Sequence, residues 1–274
     1  MISGFDFSSI AKWSCSNNYQ IRFKSSEILE GDKIYLDLVD LQRFIETLES
    51  YPPANKFVLI SYNTGLTFKQ EHLDQLKPYI TRIYATNLEF IDPYVLPIPL
   101  GFIDSSSITH TFYEEVYSRP HIKYMLIYVN FSINVNKIKR TRCLLAFMDK
   151  PWVSNKYNMS RGQYYIDLSK SRYAVSPEGI SLDSHRIYES IYLDTIPIVK
   201  TSNFDYFYKN LPIVIINDWG EVTEQFLLEN YNRFKQRLID WKLAYPNWTN
   251  AKFWIGDLQD VKEIKLQHGK LRFE

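Results

Sequence analysis

Two cysteines, Cys15 and Cys143, are all that the 274 residues hold. That is too few for a disulfide scaffold or a cysteine-based zinc site. The five histidines never fall in an H-x-x-x-H spacing, so no structural metal is expected. Neither sign of charge dominates: 32 Lys and Arg stand against 31 Asp and Glu, a net charge of +1. This gives no electrostatic case for a nucleic-acid partner. The longest apolar run, YMLIYVNFSI (Tyr124–Ile133), is too short to span a bilayer, and no integral membrane segment is expected. The opening MISGFDFSSIAKW has no basic stretch followed by an apolar core. It does not read as a signal peptide, and a cytoplasmic location is expected. No G-x-G-x-x-G occurs, which removes the dinucleotide-binding fingerprint. Sequence repeats and low-complexity segments are absent, and the densest basic run, NKIKRTR (Asn136–Arg142), reads by default as a solvated helix face.

What is present is an alternation. The chain is long enough for one large α/β domain or two ordinary ones, and 21 Tyr and 17 Phe suit broad buried surfaces with polar tips. KIYLDL (Lys33–Leu38), KFVLISY (Lys56–Tyr62) and ITRIYAT (Ile80–Thr86) are strand-like. Between them, DLQRFIETLE (Asp40–Glu49) has helical spacing at Leu41, Phe44, Ile45 and Leu48, and FKQEHLDQLKPY is a helix stopped by Pro78. YVLPIPLGF (Tyr94–Phe102) is extended, and SSSITHTFYEEV (Ser105–Val116), polar and then helical, is the candidate boundary. The second half repeats the pattern. Strands are expected at KYMLIYVNFS, RYAVS, IPIVK and LPIVIIND, and helices at NKIKRTRCLLAFM, YYIDLSKS, SHRIYESIYL and the long EVTEQFLLENYNRFKQRLIDWKLAY. Such alternation predicts parallel sheets covered by helices. The expected fold class is α/β, with two Rossmann-like domains, residues 1–118 and 119–274, facing a cleft. The last helix is free in this scheme to pack back on the first domain.

One stretch concentrates charge where a strand should hand over to a helix: SPEGISLDSHRIYES, Ser176–Ser190. In open parallel sheets, ligands bind at the carboxyl ends of strands, in loops that start the next helix. Asp183 can cap that helix by accepting from the amides of His185 or Arg186. Free amides and the helix dipole favour an anion there, and Arg186 offers a planar fork of donors suited to phosphate. Glu189, one turn past His185, can accept from a ribose diol, and Gly179 lets the backbone approach a ligand. The same residues are also ordinary helix-stabilising features, and the residues alone leave both readings open.

The surroundings decide for a family. Tyr173–Trp219, YAVSPEGISLDSHRIYESIYLDTIPIVKTSNFDYFYKNLPIVIINDW, resembles the signature of the exostosin-like glycosyltransferases. IYVNFSINVNKIKR (Ile127–Arg140), IYATNLEFIDPYVLPIPLGF (Ile83–Phe102) and, loosely, VLISYNTG (Val58–Gly65) are similar to further elements of that family. The resemblance implies the two-domain GT-B architecture and a UDP-sugar donor held by the C-terminal domain. It assigns donor binding to Asp183, His185, Arg186 and Glu189, with Ser176, Glu178 and Gly179 in the loop and Arg140 reaching a phosphate. Lys150 is a basic candidate by position. The sequence departs from the family where Glu178 replaces a basic residue, Ser181 a glycine, Asp194 a glycine and Gly65 an acid.

No D-x-D occurs, which removes the usual metal-binding element of the GT-A architecture. The expectation is an inverting, metal-independent transferase that moves a hexose, uronic acid or pentose such as xylose from a UDP-sugar. The acceptor is a glycan or glycoprotein oligosaccharide, and the donor is a substrate, so no cofactor is expected. Stabilising the leaving diphosphate falls to cationic side chains and helix-end amides. An inverting reaction needs one base, and the candidates are Asp104, favoured for its place near the domain junction, then Asp37, Asp92 and Asp40. The alternative from another class is a non-catalytic nucleotide- or glycan-binding protein of the same fold.

Overall fold

The computed structural model describes residues 2–16, 23–103, 107–119, 121–157, 159–256, 265–267 and 270–272. The chain divides into two compact units, Met1–Gly101 with Asn247–Glu274, and Phe102–Pro246.

The first unit is built on a five-stranded parallel sheet in chain order: β1 (Trp13–Cys15), β2 (Lys33–Asp37), β3 (Phe57–Tyr62), β4 (Ile80–Ala85) and β5 (Val95–Pro97). β2 and β3 are buried without alternation, as a sheet covered on both faces requires: Ile34, Tyr35 and Leu36 of β2 are all buried, as are Leu59 and Ile60 of β3. Around it lie α1 (Gly4–Ser9), α2 (Leu41–Ser50), α3 (Gln70–Leu76) and α4 (Ala251–Trp254), the last arriving from the far end of the chain to pack on α1. α2 buries Leu41, Phe44, Ile45 and Leu48, the residues its spacing singled out. Each such side chain contributes about 1.5–3 kcal/mol. The tail is tied in by the Tyr84 hydroxyl, which donates to the Ile255 carbonyl at 2.9 Å. At Gly101 (φ +67°) a Cβ would lie 2.3 Å from the Ile2 carbonyl oxygen, so only glycine fits.

The second unit holds another five-stranded parallel sheet, of β6 (Met125–Val129), β7 (Val153–Asn155), β8 (Ser171–Val175), β9 (Ile196–Lys200) and β10 (Val214–Ile216). Their order is β10-β9-β8-β6-β7, so the winding reverses between β6 and β8. Its helices are α5 (Ser107–Tyr117), α6 (Lys137–Phe147), α7 (Arg161–Ser169), α8 (His185–Tyr192), α9 (Asp205–Tyr208) and α10 (Glu224–Ala244). The α/β class and the two Rossmann-like units are those that the alternation predicts. The division falls at Gly101 rather than after Ser118, because α5 packs on α7 and belongs with the second sheet. No described helix is long and apolar enough to cross a membrane.

At the head of β6, Lys123 is drawn inward. Its ammonium donates to the Leu193 carbonyl at 2.6 Å and to Thr195 Oγ1 at 2.9 Å. Burial lowers its pKa from 10.5 to about 7, against the opposing pull of Asp194; Lys242 and Lys235 lower it further. Below about pH 7 the folded chain carries this charge at a desolvation cost that the unfolded chain escapes. That cost is relieved as pH rises toward the unfolded value. The thermal midpoint should therefore rise between about pH 7 and 9, below the range where tyrosines ionise, and Lys123→Met should flatten that rise.

Candidate functional site

The reversal of winding places two loops side by side at the carboxyl edge of the second sheet, residues 130–136 after β6 and 176–184 after β8. This is where open α/β sheets hold ligands.

Arg140, from the first turn of α6, ties these loops together. Its Nε donates to the Glu178 carbonyl at 3.0 Å, Nη1 to the Ser132 carbonyl at 2.8 Å and Nη2 to the Pro177 carbonyl at 3.5 Å. Its guanidinium also lies 5.7 Å from the centre of the Phe131 ring. Burial, helped by the nearby Arg186 charge, lowers its pKa to about 10. Arg140 was expected to reach a phosphate; here three of its five N–H donors, one on each nitrogen, are engaged with main-chain carbonyls. Gly179 makes this possible. A Cβ there would stand 3.0 Å from Arg140 Nη2 and 3.4 Å from Val135 Cγ1, so the glycine serves the Arg140 contact.

The helix that follows starts at His185, with Ser184 and not Asp183 in the cap position. Asp183 is only 2% exposed. Its carboxylate accepts from the Tyr188 hydroxyl at 2.6 Å, the Tyr208 hydroxyl at 3.1 Å and the Ser184 amide at 2.8 Å. The Tyr208 phenol is held well above its usual pKa by burial and then by Asp183, so it stays a donor. Glu189, 3% exposed, accepts from Tyr164 at 2.8 Å and Tyr165 at 3.4 Å. Tyr164 is likewise kept protonated by burial and the Glu189 charge. The motif carboxylates thus lock α8 against α7 and α9 by hydrogen bonds to buried phenols, where a ribose diol was expected.

Arg186 stacks between Phe131 and Tyr164, 5.9 and 5.7 Å from their ring centres. It makes no ion pair among the described residues, and its Nε is buried without a partner. The rings offset part of the cost of an uncompensated guanidinium. His185 opens the helix, half-buried. Lys150 lies elsewhere, over Trp152 at 5.1 Å and Phe147 at 5.8 Å.

Beside the loop, over the ends of β8, β9 and β10, is a cavity of about 530 Å³. Ser176, Pro177 and Glu178 line it from the loop, Lys139, Arg142 and Ala146 from α6, and Val199, Lys200, Thr201, Ser202, Asp218 and Trp219 from the other strand ends. Ser176 is 2% exposed, and its Oγ has no hydrogen-bond partner. Lys139 pairs with Glu178 at 2.7 Å and Lys200 with Asp218 at 3.4 Å, while Arg142 has no ion pair among the described residues. The lining therefore carries a surplus cation and a buried hydroxyl, a set that can receive an anion with hydrogen-bonding oxygens. Sequence reasoning missed Lys139, Arg142 and Lys200. The first two were in plain view in NKIKRTR, but only the fold brings them to the loop. No described cluster of three or more His, Cys, Asp or Glu side chains could hold a metal ion.

The base candidates lie in the first unit. Asp37 ends β2, and its Oδ1 accepts from Asn63 Nδ2 at 2.8 Å and from the Val39 amide at 3.3 Å. Its second oxygen has no partner among the described residues. Asp92 caps a turn through the Tyr94 amide at 2.8 Å. Asp40 is buried and lies 3.5 Å from the Arg43 guanidinium. Asp104 lies outside the described residues.

No family model matches the chain, and no curated protein sequence matches it. Solved structures that resemble it include an alpha,alpha-trehalose-phosphate synthase (UDP-forming) from Burkholderia vietnamiensis, at 9% identity and a TM-score of 0.48, covering 85% of this chain and 75% of that one. The N-terminal domain of Candida albicans trehalose-6-phosphate phosphatase is 12% identical, with a TM-score of 0.49 and coverage of 82% and 69%. The pneumococcal O-GlcNAc transferase GtfA, solved with UDP and GlcNAc, is 11% identical, with a TM-score of 0.38, and 79% of this chain spans half of it (50%). Identities this low leave the function to the chain's own residues.

A methyl group at position 179 would press on Arg140 Nη2 at 3.0 Å and push the guanidinium off its three carbonyls. Gly179→Ala should cost about 1–3 kcal/mol of stability, read as a lower urea midpoint at unchanged m-value.

Proposed function

We propose that the chain is a GT-B type glycosyltransferase that transfers a sugar from a UDP-sugar to a glycan or glycoprotein hydroxyl, with inversion and without a metal. The observation that carries this reading is the cavity over β8–β10 at the carboxyl edge of a parallel sheet, lined by Lys139, Arg142 and Lys200 together with Ser176, whose buried Oγ has no partner. The likeness of Tyr173–Trp219 to the exostosin-like signature supports it and gives the donor its class.

In this reading Ser176 Oγ and Arg142 bind the diphosphate directly. Lys139 and Lys200, now paired with Glu178 and Asp218, turn toward the same oxygens. As the glycosidic bond breaks, negative charge builds on the leaving diphosphate, and these preplaced cations stabilise it. Arg186 adds positive potential from its place between two rings. Arg140, Gly179, Asp183 and Glu189 act by holding the loop and α8 in shape. The acceptor hydroxyl gives its proton to a carboxylate. Asp37, oriented through Oδ1 with Oδ2 unengaged, is the candidate best prepared for it.

The test is ligand-observed NMR with UDP, GDP and a panel of UDP-hexoses, UDP-glucuronic acid and UDP-xylose, with and without EDTA. UDP species should bind regardless of EDTA, and Arg142→Ala and Ser176→Val should each weaken binding about tenfold or more with the fold intact. If no UDP species binds, the reading fails. If EDTA abolishes binding, its metal-free part fails. With the donor so identified, Asp37→Asn should keep UDP binding and lower transfer about 10²–10⁴-fold. Binding with neither transfer nor donor hydrolysis in the unmodified chain would favour a non-catalytic binding protein.

A further inference from the structure

Helix α6 is patterned the wrong way round for a helix in water. It buries Arg140 along with Cys143 and Phe147, and it turns Ile138 and Leu145 outward, 70% and 58% exposed. These two stand seven residues apart, on one stripe. Val135, in the short turn that precedes the helix, is also exposed. Ile180, 74% exposed, joins from the neighbouring loop, whose Gly179 sits against Val135.

The charge on α6 itself is of one sign. Lys137, Lys139 and Arg142 are exposed, and α6 contains no carboxylate. Lys139 is answered by Glu178 at 2.7 Å, but Lys137 and Arg142 have no ion pair among the described residues. Lys137 and Lys139 stand in the first turn, where the helix dipole is already positive. Exposed aliphatics and unpaired first-turn cations are each unfavourable in the isolated chain, and one partner would relieve both.

We propose that this face of the second unit docks on an anionic phospholipid surface, with Ile138, Leu145 and Ile180 entering the headgroup boundary and Lys137 and Arg142 meeting lipid phosphates. Aliphatic side chains set between cations match an interface that is apolar below and anionic above. They have no counterpart on a nucleic-acid backbone, and the chain's net charge of +1 provides no general attraction to a polyanion. Arg142 belongs to both readings, so the test is carried by Ile138 and Leu145, which do not line the cavity.

The experiment is cosedimentation with phosphatidylcholine vesicles, either pure or containing about one-third phosphatidylserine. The unmodified chain should pellet with the anionic vesicles, stay in solution with the neutral ones, and detach as salt rises. The double variant Ile138→Glu/Leu145→Glu should lower the partition constant about tenfold or more. Its thermal melt should be unchanged, because both side chains already face water, and any nucleotide binding should persist. The proposal is overturned if the unmodified chain stays in solution with anionic vesicles at low salt, whichever other polyanion or protein it binds. It is equally overturned if the folded double variant pellets like the unmodified chain.

Discussion

A single buried guanidinium organises the carboxyl edge of the second sheet. Arg140 reaches from α6 to the loops that follow β6 and β8 and satisfies a carbonyl at each of Ser132, Pro177 and Glu178. Placing a charge in that position is costly, as its lowered pKa of about 10 records. The cost is tolerable because every nitrogen has an acceptor and the Phe131 ring lies against one face. Two further conditions follow. The loop must have no side chain at Gly179, and Glu178 must present its carbonyl inward, which sends its carboxylate out toward Lys139. The shape of the cavity wall is set by these contacts.

The same economy governs the helix that follows. Asp183 and Glu189 are carboxylates in a nearly dry interior, each held by two tyrosine hydroxyls, and burial drives up the pKa values of Tyr164 and Tyr208 among them. A phenol that keeps its proton is a dependable donor to a carboxylate. This locks α8 in place and leaves Arg186 as a cation whose near neighbours are aromatic rings and another guanidinium. Arg186 and Arg142, neither in an ion pair among the described residues, leave this region with positive potential.

Much of this was legible in the chain. The long helix Glu224–Ala244, the helix of Leu41–Ser50 and the buried strands of both sheets follow from hydrophobic period alone, because an apolar stripe or an apolar run has few ways to leave water. The strands β1 and β7 were not legible. Each is three residues long, and pairing with a longer neighbour forms them, with little contribution from their own composition. The loop Ser176–Ser190 was recognisable as the candidate site, yet half of its polar residues turn out to brace the fold. Their identity and spacing suit a ligand and a tyrosine equally well, and only the positions of Tyr164, Tyr165, Tyr188 and Tyr208 separate the two.

Features that depend on neighbours along the chain are written in one dimension: strand–helix alternation, helix faces, the low net charge and the place where a strand hands its polar loop to a helix. Tertiary structure decided what depends on neighbours in space. The β10-β9-β8-β6-β7 order, the partner of each buried carboxylate, the glycine that admits Arg140, and the arrival of Lys139, Arg142 and Lys200 around Ser176 belong to this second class. Hydrophobic periodicity is a local signal that survives in one dimension. A hydrogen bond between residues 38 apart, such as Arg140 to Glu178, leaves no trace until the chain has closed the loop between them.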